Sequence, residues 1–281
     1  HAFMMLHLNN KSKEAWSLIN ESRLDPANNP LACFALANLA MHTGRNDEAI
    51  RLLEQRPKSS VFHPFHYLDY MLGLAKMHRL DEDASLYFKR FIQNFRGQNY
   101  IKEAYQKLAW NEILNNNPAG YQKYMQSCKV HGYTAVDGDK NANREANLGI
   151  APNKTLLESR LLFDGGYLQK AYDLLQPLSA DNFNTAKTKL EFPYRFGRIS
   201  HNMGRHDEAI QYYQRTIDNG SNQSYFYACN AALQMGKLYE ELGQYATARV
   251  YFRKCLSLKP DQYRNGLHQQ AKAGLNRLKG R

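Results

Sequence analysis

The sequence has little of what catalysts and metal proteins are built from. It holds four cysteines in 281 residues (Cys33, Cys128, Cys229 and Cys255), with no CxxC pair and no metal-ligand spacing. That sets aside a zinc site and a disulfide framework, and leaves Cys229 and Cys255 as small, buried, inert helix residues. No Gly-rich phosphate loop and no nucleophile elbow occurs. No stretch approaches ~18 consecutive apolar residues, so no membrane span is expected. Acids are also in short supply: 26 Asp and Glu face 37 Lys and Arg, a net charge of +11. The acid groups Asp81-Glu82-Asp83 and Asp207-Glu208 each follow a turn, where a helix N-terminus favours negative charge without any catalytic role. Asp137-Gly138-Asp139 has the start of a calcium loop but lacks the later acids and the closing Glu, so it reads as a turn. His63 and His66 are three apart but flank Pro64 and have no third ligand nearby, so they read as surface or interface residues. No catalytic residue, cofactor or metal site is expected. Enzyme activity would need a domain outside this segment.

What the sequence does have is a spacing. A turn residue is followed five positions on by Ala and four later by a large apolar residue: Gly44–Ala49–Leu53, Gly166–Ala171–Leu175, Gly204–Ala209–Tyr213 and Gly243–Ala248–Phe252. Weaker copies start at Asn10, Arg79 and Asn116, and the seven starts lie 34, 35, 37, 50, 38 and 39 residues apart. Such a period means stacked helix pairs. Seven residues before each start stand Ala37, Ala109, Ser159, Gly197 and Gly236, small residues that let two helices approach closely; Leu72 breaks the pattern, though Gly73 follows it. In the last copy a second helix is expected over 246–258, burying Ala248, Val250, Phe252 and Cys255 and stopped by Pro260.

These observations predict an all-α, right-handed α-solenoid of stacked helix-turn-helix repeats with a C-terminal capping helix. The expected organisation is a partial repeat at 1–28, repeats over 29–130, an irregular stretch at 131–154, repeats over 155–260 and a basic capping helix at 261–281. The stub before Asn10 suggests that an upstream part is missing. A short polar helix is expected over 140–147, and the irregular stretch is either a hinge or a plain loop insertion.

Gly236, Tyr239, Gly243, Tyr245, Ala248, Phe252 and Pro260 together resemble the tetratricopeptide-repeat signature, as do Gly197, Gly204, Ala209 and Tyr213, and to a lesser degree Leu36, Ala37, Gly44, Ala49 and Leu53. The resemblance implies a non-enzymatic scaffold for protein–protein interaction. The stretches Leu161–Tyr167, Tyr194–Ile199 and Ala271–Arg277 are also similar to bacterial repeat proteins distantly related to the mitochondrial outer-membrane inclusion-clearance family, which implies a role near aggregates or lipid-associated material.

By analogy with such arrays, the first helix of each pair lines a groove. Its expected exposed positions are Phe34, Asn38 and Met41 in one repeat, Tyr194, Arg195, Arg198, His201 and Asn202 in another, and Leu233, Lys237 and Glu240 in the last. The candidate ligand-binding set is Phe34, Asn38, Tyr194, Arg195, Arg198, His201 and Lys237. Arg195, Arg198 and Lys237 suit a carboxylate or acidic peptide, or pair with Glu191, Glu240 and Glu241. Members that hold chaperone C-termini use a Lys and Asn set; Asn38 has no such Lys, Phe34 standing one turn before it. The partner expected is a protein or peptide segment in the groove. The alternative is an anionic surface, nucleic acid or acidic lipid, met by the C-terminal region, where nine basic residues from Arg249 to Arg281 face one acid, Asp261. Without a span, the chain is expected to be soluble, in the cytoplasm or, after removal of a signal peptide, the periplasm.

Overall fold

In a computed structural model of the chain, the structure describes Met5 and residues 12–22, 24–57 and 64–280. Every regular element among them is helical. Two compact units form, His1–Tyr167 and Leu168–Arg281. The first, unit 1, contains α1 (Ser12–Glu21), α2 (Pro30–His42), α3 (Asn46–Glu54), α4 (Tyr67–Arg79), α5 (Ala84–Asn94), α6 (Ile101–Leu114), α7 (Pro118–Val130), α8 (Asp137–Leu148) and α9 (Lys154–Asp164). Unit 2 contains α10 (Leu168–Leu175), a 3₁₀ turn (Ala180–Asn182), α11 (Ala186–Asn202), α12 (His206–Gly220), α13 (Tyr227–Glu241), α14 (Tyr245–Ser257) and α15 (Arg264–Arg277). Within each unit the helices pair and stack as in an α-solenoid: α2 with α3, α4 with α5 and α6 with α7, then α11 with α12 and α13 with α14, each pair packed on the next. The stub before Asn10 (Met5 apart), the start at Asn10 and His63 lie outside the described residues.

Local chemistry sets the helix boundaries. The Asn29 side chain accepts from the Leu31 and Ala32 amides at 2.9 and 3.2 Å, with Pro30 in the first turn, and Asn117 with Pro118 repeats the device at α7. The turn glycines Gly44, Gly166, Gly204 and Gly243 all adopt left-handed φ of 72–81°. Asn116 takes the same conformation at 56°. In the second repeat the left-handed residue is Leu80 (φ 66°), one position after the expected Arg79. Arg79 instead remains helical and pairs with Asp81 and Asp47.

The small residues are packing notches. A Cβ on Gly236 would meet the Phe252 ring at 2.5 Å, and one on Gly197 would meet Tyr213 at 2.8 Å. The break at Leu72 is a shift of one residue: Gly73 faces Phe88, at 3.1 Å. Val250 corrects an expectation. It is exposed, because Ala248, Phe252 and Cys255 occupy the inward face at i, i+4 and i+7 and Val250 points away. The polar helix expected at 140–147 is α8 and starts three residues earlier. Its Asp139 is fully buried and accepts from the Tyr100 and Glu103 amides at 2.7 and 2.9 Å, capping α6 from another helix. A Cβ on Gly138 would collide with the Glu103 carboxylate. Capping and close packing thus account for Asp137-Gly-Asp139.

Candidate functional site

The inner helices α11, α13 and α15 of unit 2 lie side by side and carry most of the candidate residues. Tyr194 and Leu233, expected to be exposed, are 4% and 0% accessible. They sit at positions where α11 and α13 also meet their neighbours, so the apolar bodies are drawn into the core. Only the Tyr194 hydroxyl is available for polar contact. It accepts from Asn230 Nδ2 at 2.7 Å and from Arg198 Nη1 at 3.1 Å. Arg195 is ion-paired: its Nε donates to Glu191 Oε1 at 2.8 Å. Burial works against the Glu191 charge, yet Arg195 and the Tyr227 hydroxyl hold its carboxyl below the usual range.

His201 lies between Tyr213 Oη and Glu241 Oε2, each 3.3 Å from a ring nitrogen. Burial lowers its pKa, with Arg198 and His206 adding to the effect and Glu241 opposing it. Lys237 is half-buried. Its Nζ donates to the neutral Gln270 Oε1 at 2.9 Å, and among the described residues it forms no ion pair. Burial, Arg198 and Arg277 all push its pKa down, against Glu241 and Glu240. Arg277 takes Glu240 for itself, with Nε–Oε1 at 2.9 Å and Nη2–Oε2 at 2.7 Å. These groups make a continuous polar strip in which cations outnumber the carboxylates.

With that geometry in view, models of the tetratricopeptide repeat match residues 191–261 and 32–59. These two stretches are tetratricopeptide repeats. Repeats of this kind generally mediate protein–protein interaction, and the family is typically non-enzymatic. Both matched models describe the repeat itself and distinguish no narrower group. A search of curated proteins finds no match. The match at 32–59 covers most of α2 and all of α3; the match at 191–261 runs from within α11 through α14. No helix among the described residues is long and apolar enough to cross a membrane.

The other tetratricopeptide candidates, Phe34 and Asn38, lie on α2 of unit 1. Phe34 is half-buried against Phe65 and Tyr67, with centroids 5.5 and 6.1 Å apart. The Asn38 carbonyl accepts from His42 Nδ1 at 2.8 Å. The polar residues that sequence reasoning missed are in the same unit. Glu145 on α8 takes hydrogen bonds from Gln106, Trp110 and Tyr121 of α6 and α7. Lys107 is buried, with its pKa lowered by burial, and lies 3.3 Å from Glu103 and 4.0 Å from the Trp110 ring centre. Their partners stand up to 39 residues away, so no local pattern announces them.

Proposed function

We propose that the protein is a non-enzymatic scaffold whose unit 2 holds an acidic peptide, or a peptide carboxylate, against α11, α13 and α15. The observation that carries this reading is Lys237. A half-buried ammonium held by a neutral amide, with Arg198 and Arg277 close enough to depress its pKa, is a positive field that an incoming carboxylate would neutralise. Arg195 acts as support, since its charge is already matched by Glu191. Tyr194 positions Arg198 through its hydroxyl. The test is titration of a set of acidic peptides against the parent and a Lys237→Glu variant. Reversal of this charge should weaken the best binder at least tenfold, and equal affinities would reject the site.

A second reading has its own support. On α14, α15 and the segments after them, Arg253, Lys259, Arg264, Lys272 and Lys279 are exposed, and Asp261 is the one acid in that stretch. Such a surface suits nucleic acid or acidic lipid. Binding to DNA or to anionic vesicles that falls steeply with salt would support it; no binding at low salt would remove it.

A further inference from the structure

Two of the four cysteines meet inside unit 2. Cys229 stands in the first turn of α13 and Cys255 in the last turn of α14. The pairing of these helices sets Sγ 3.6 Å from Sγ across a separation of 26 residues. Both residues are buried, 1% and 0% accessible. They lie at the end of the α13–α14 hairpin opposite its Gly243 turn. At that same end the Asp261 amide donates to the Ser224 carbonyl at 3.0 Å, tying the segment after α14 to the one before α13. Helix α15 covers the pair, with the Leu267 carbonyl 3.9 Å from Cys255 Sγ. The other two thiols are placed differently. Cys33 donates to the Leu52 carbonyl at 3.5 Å, and burial pushes Cys33 up to about 11 and Cys128 up to about 12.

A disulfide holds its sulfurs about 2.0 Å apart, so this pair has about 1.6 Å to close. Small turns about the two Cα–Cβ bonds supply that shift. The two thiols are also unequal. The Cys255 S–H directed at Cys229 lowers the Cys229 pKa against the effect of burial, and the first turn of a helix favours a thiolate as well. The same contact, with burial, pushes the Cys255 thiol up. We propose that Cys229 and Cys255 are an oxidisable dithiol, a modification site that hydrogen peroxide converts to a disulfide stapling the open end of the α13–α14 hairpin. Cys229, as the thiolate, attacks one peroxide oxygen. The O–O bond breaks, Cys229 becomes a sulfenic acid, and the departing hydroxide takes up the proton Cys229 had lost. The Cys255 sulfur then attacks the sulfenic sulfur, the S–O bond breaks, and the oxygen leaves as a second water with the Cys255 proton. Two thiols and one peroxide give one disulfide and two waters, with two electrons passing from sulfur to peroxide. A dithiol reductant reverses the change. Because both sulfurs are buried, a small neutral oxidant reaches them through fraying of the helix ends, where a bulky reagent does not.

The test treats the reduced full chain with hydrogen peroxide, unfolds it in denaturant, and counts its thiols with a maleimide before peptide mass mapping. Two of the four thiols should disappear and return with dithiothreitol. Cys229 and Cys255 should appear in one cross-linked peptide, lighter by two hydrogens, while Cys33 and Cys128 remain alkylated. The oxidised parent should also melt at a higher temperature than the reduced one, since the cross-link restricts the unfolded chain. A Cys255→Ala variant should show neither the cross-link nor the shift, and its Cys229 should be trapped as sulfenic acid by dimedone. The thiol count on the parent stands whether or not the variant folds. Four free thiols after peroxide, oxidation of Cys229 and Cys255 without a cross-link, or loss of Cys33 and Cys128 at the same rate would overturn the proposal.

Discussion

Replacing Gly236 by alanine sets two effects against each other, and the structure decides the sign. In a helix interior Gly is ~1 kcal/mol worse than Ala, so propensity alone favours the substitution. The new methyl, however, would stand 2.5 and 2.6 Å from two atoms of the Phe252 ring. The ring has nowhere to go. Phe252 is fully buried, and a Cβ on Gly274, from α15, would meet it at 2.5 Å as well. Clamped by close backbone approach from α13 and α15, it cannot yield by a rotamer change, so the overpacking cost sits near the upper end of the usual ~1–3 kcal/mol. The net expectation is a loss of ~2 kcal/mol. Gly266 is the control: nothing lies within 4 Å of its Cβ position, and Gly266→Ala should be stabilising by roughly 0.5–1 kcal/mol. A third variant, Gly236→Ala with Phe252→Leu, removes the clash and should be less destabilised than the two single changes added together. Urea unfolding of the full chain, followed by far-UV circular dichroism, measures all three. A Gly236→Ala protein as stable as the parent, or more so, would refute the notch argument.

Two further predictions concern unit 1. His78 has its pKa lowered from 6.5 to about 4, by burial first, with Lys107 of α6, Arg160 of α9 and His42 of α2 adding to the effect and Asp164 of α9 opposing it. The folded-state value is depressed, so the native state keeps the full benefit above pH 6.5 and loses it as pH falls toward 4, about 3 kcal/mol over the whole interval. Between about pH 7.5 and pH 4.5 the parent should therefore lose more stability in urea than His78→Leu; parallel pH dependences would sink this assignment. Asp139→Ala leaves the Tyr100 and Glu103 amides at the start of α6 without their acceptor and should cost ~2 kcal/mol, most of it recovered by Asp139→Asn, as read from thermal melts.

The stacking of helix pairs was legible because its determinants are local. A left-handed glycine, an alanine five residues on and an aromatic after it need only a short window to be seen, and Gly204 with Tyr213, or Gly243 with Phe252, behave as that window implies. Where the window slipped by a residue, as at Leu80 and Gly73, the pattern blurred while the packing logic held. Groove exposure was less legible. Helical spacing places Tyr194 and Leu233 on one face with Arg195 and Lys237, but it does not say how deep that face lies between neighbouring helices, and both apolar bodies turn out to be buried. The contacts of α8 and α9 could not be read at all. Asp139 reaches α6 across 36 residues and Tyr167 reaches Asp47 across 120, and nothing in either neighbourhood marks the partner.

The packing in unit 1 mixes apolar and polar contacts, and the two respond differently to water. Contacts between successive helix pairs join an apolar core, as at Leu53, Leu72, Phe88 and Phe91, to polar pairs such as Lys76–Glu54, Arg79–Asp47 and Asn46 on the Ala75 carbonyl. Contacts with α8 and α9 are mixed in the same way: Gln106 and Trp110 donate to Glu145 and Tyr167 meets Asn46 and Asp47, while Ala142, Ala146, Leu157 and Leu161 enter the apolar cluster. All but two of the buried polar side chains, Ser200 and Thr216, belong to unit 1. An apolar interface is lost only by exposing its area to water, at about 25 cal/mol per Å². A hydrogen bond contributes only about 0.5–1.5 kcal/mol net, because water offers a substitute for it. Between α8 and α9 the accounts then diverge. Around Asp139 and Glu145 every named hydrogen bond is made, so α8 is held as firmly as a repeat helix. Under α9 two buried polar atoms go unmatched, but Leu156, Leu157, Leu161 and Leu162 are buried on it, and exposing them costs more than two hydrogen bonds return. Helix α9 is therefore held as part of the apolar stack of unit 1, and exchange experiments should find its buried amides protected together with those of α6.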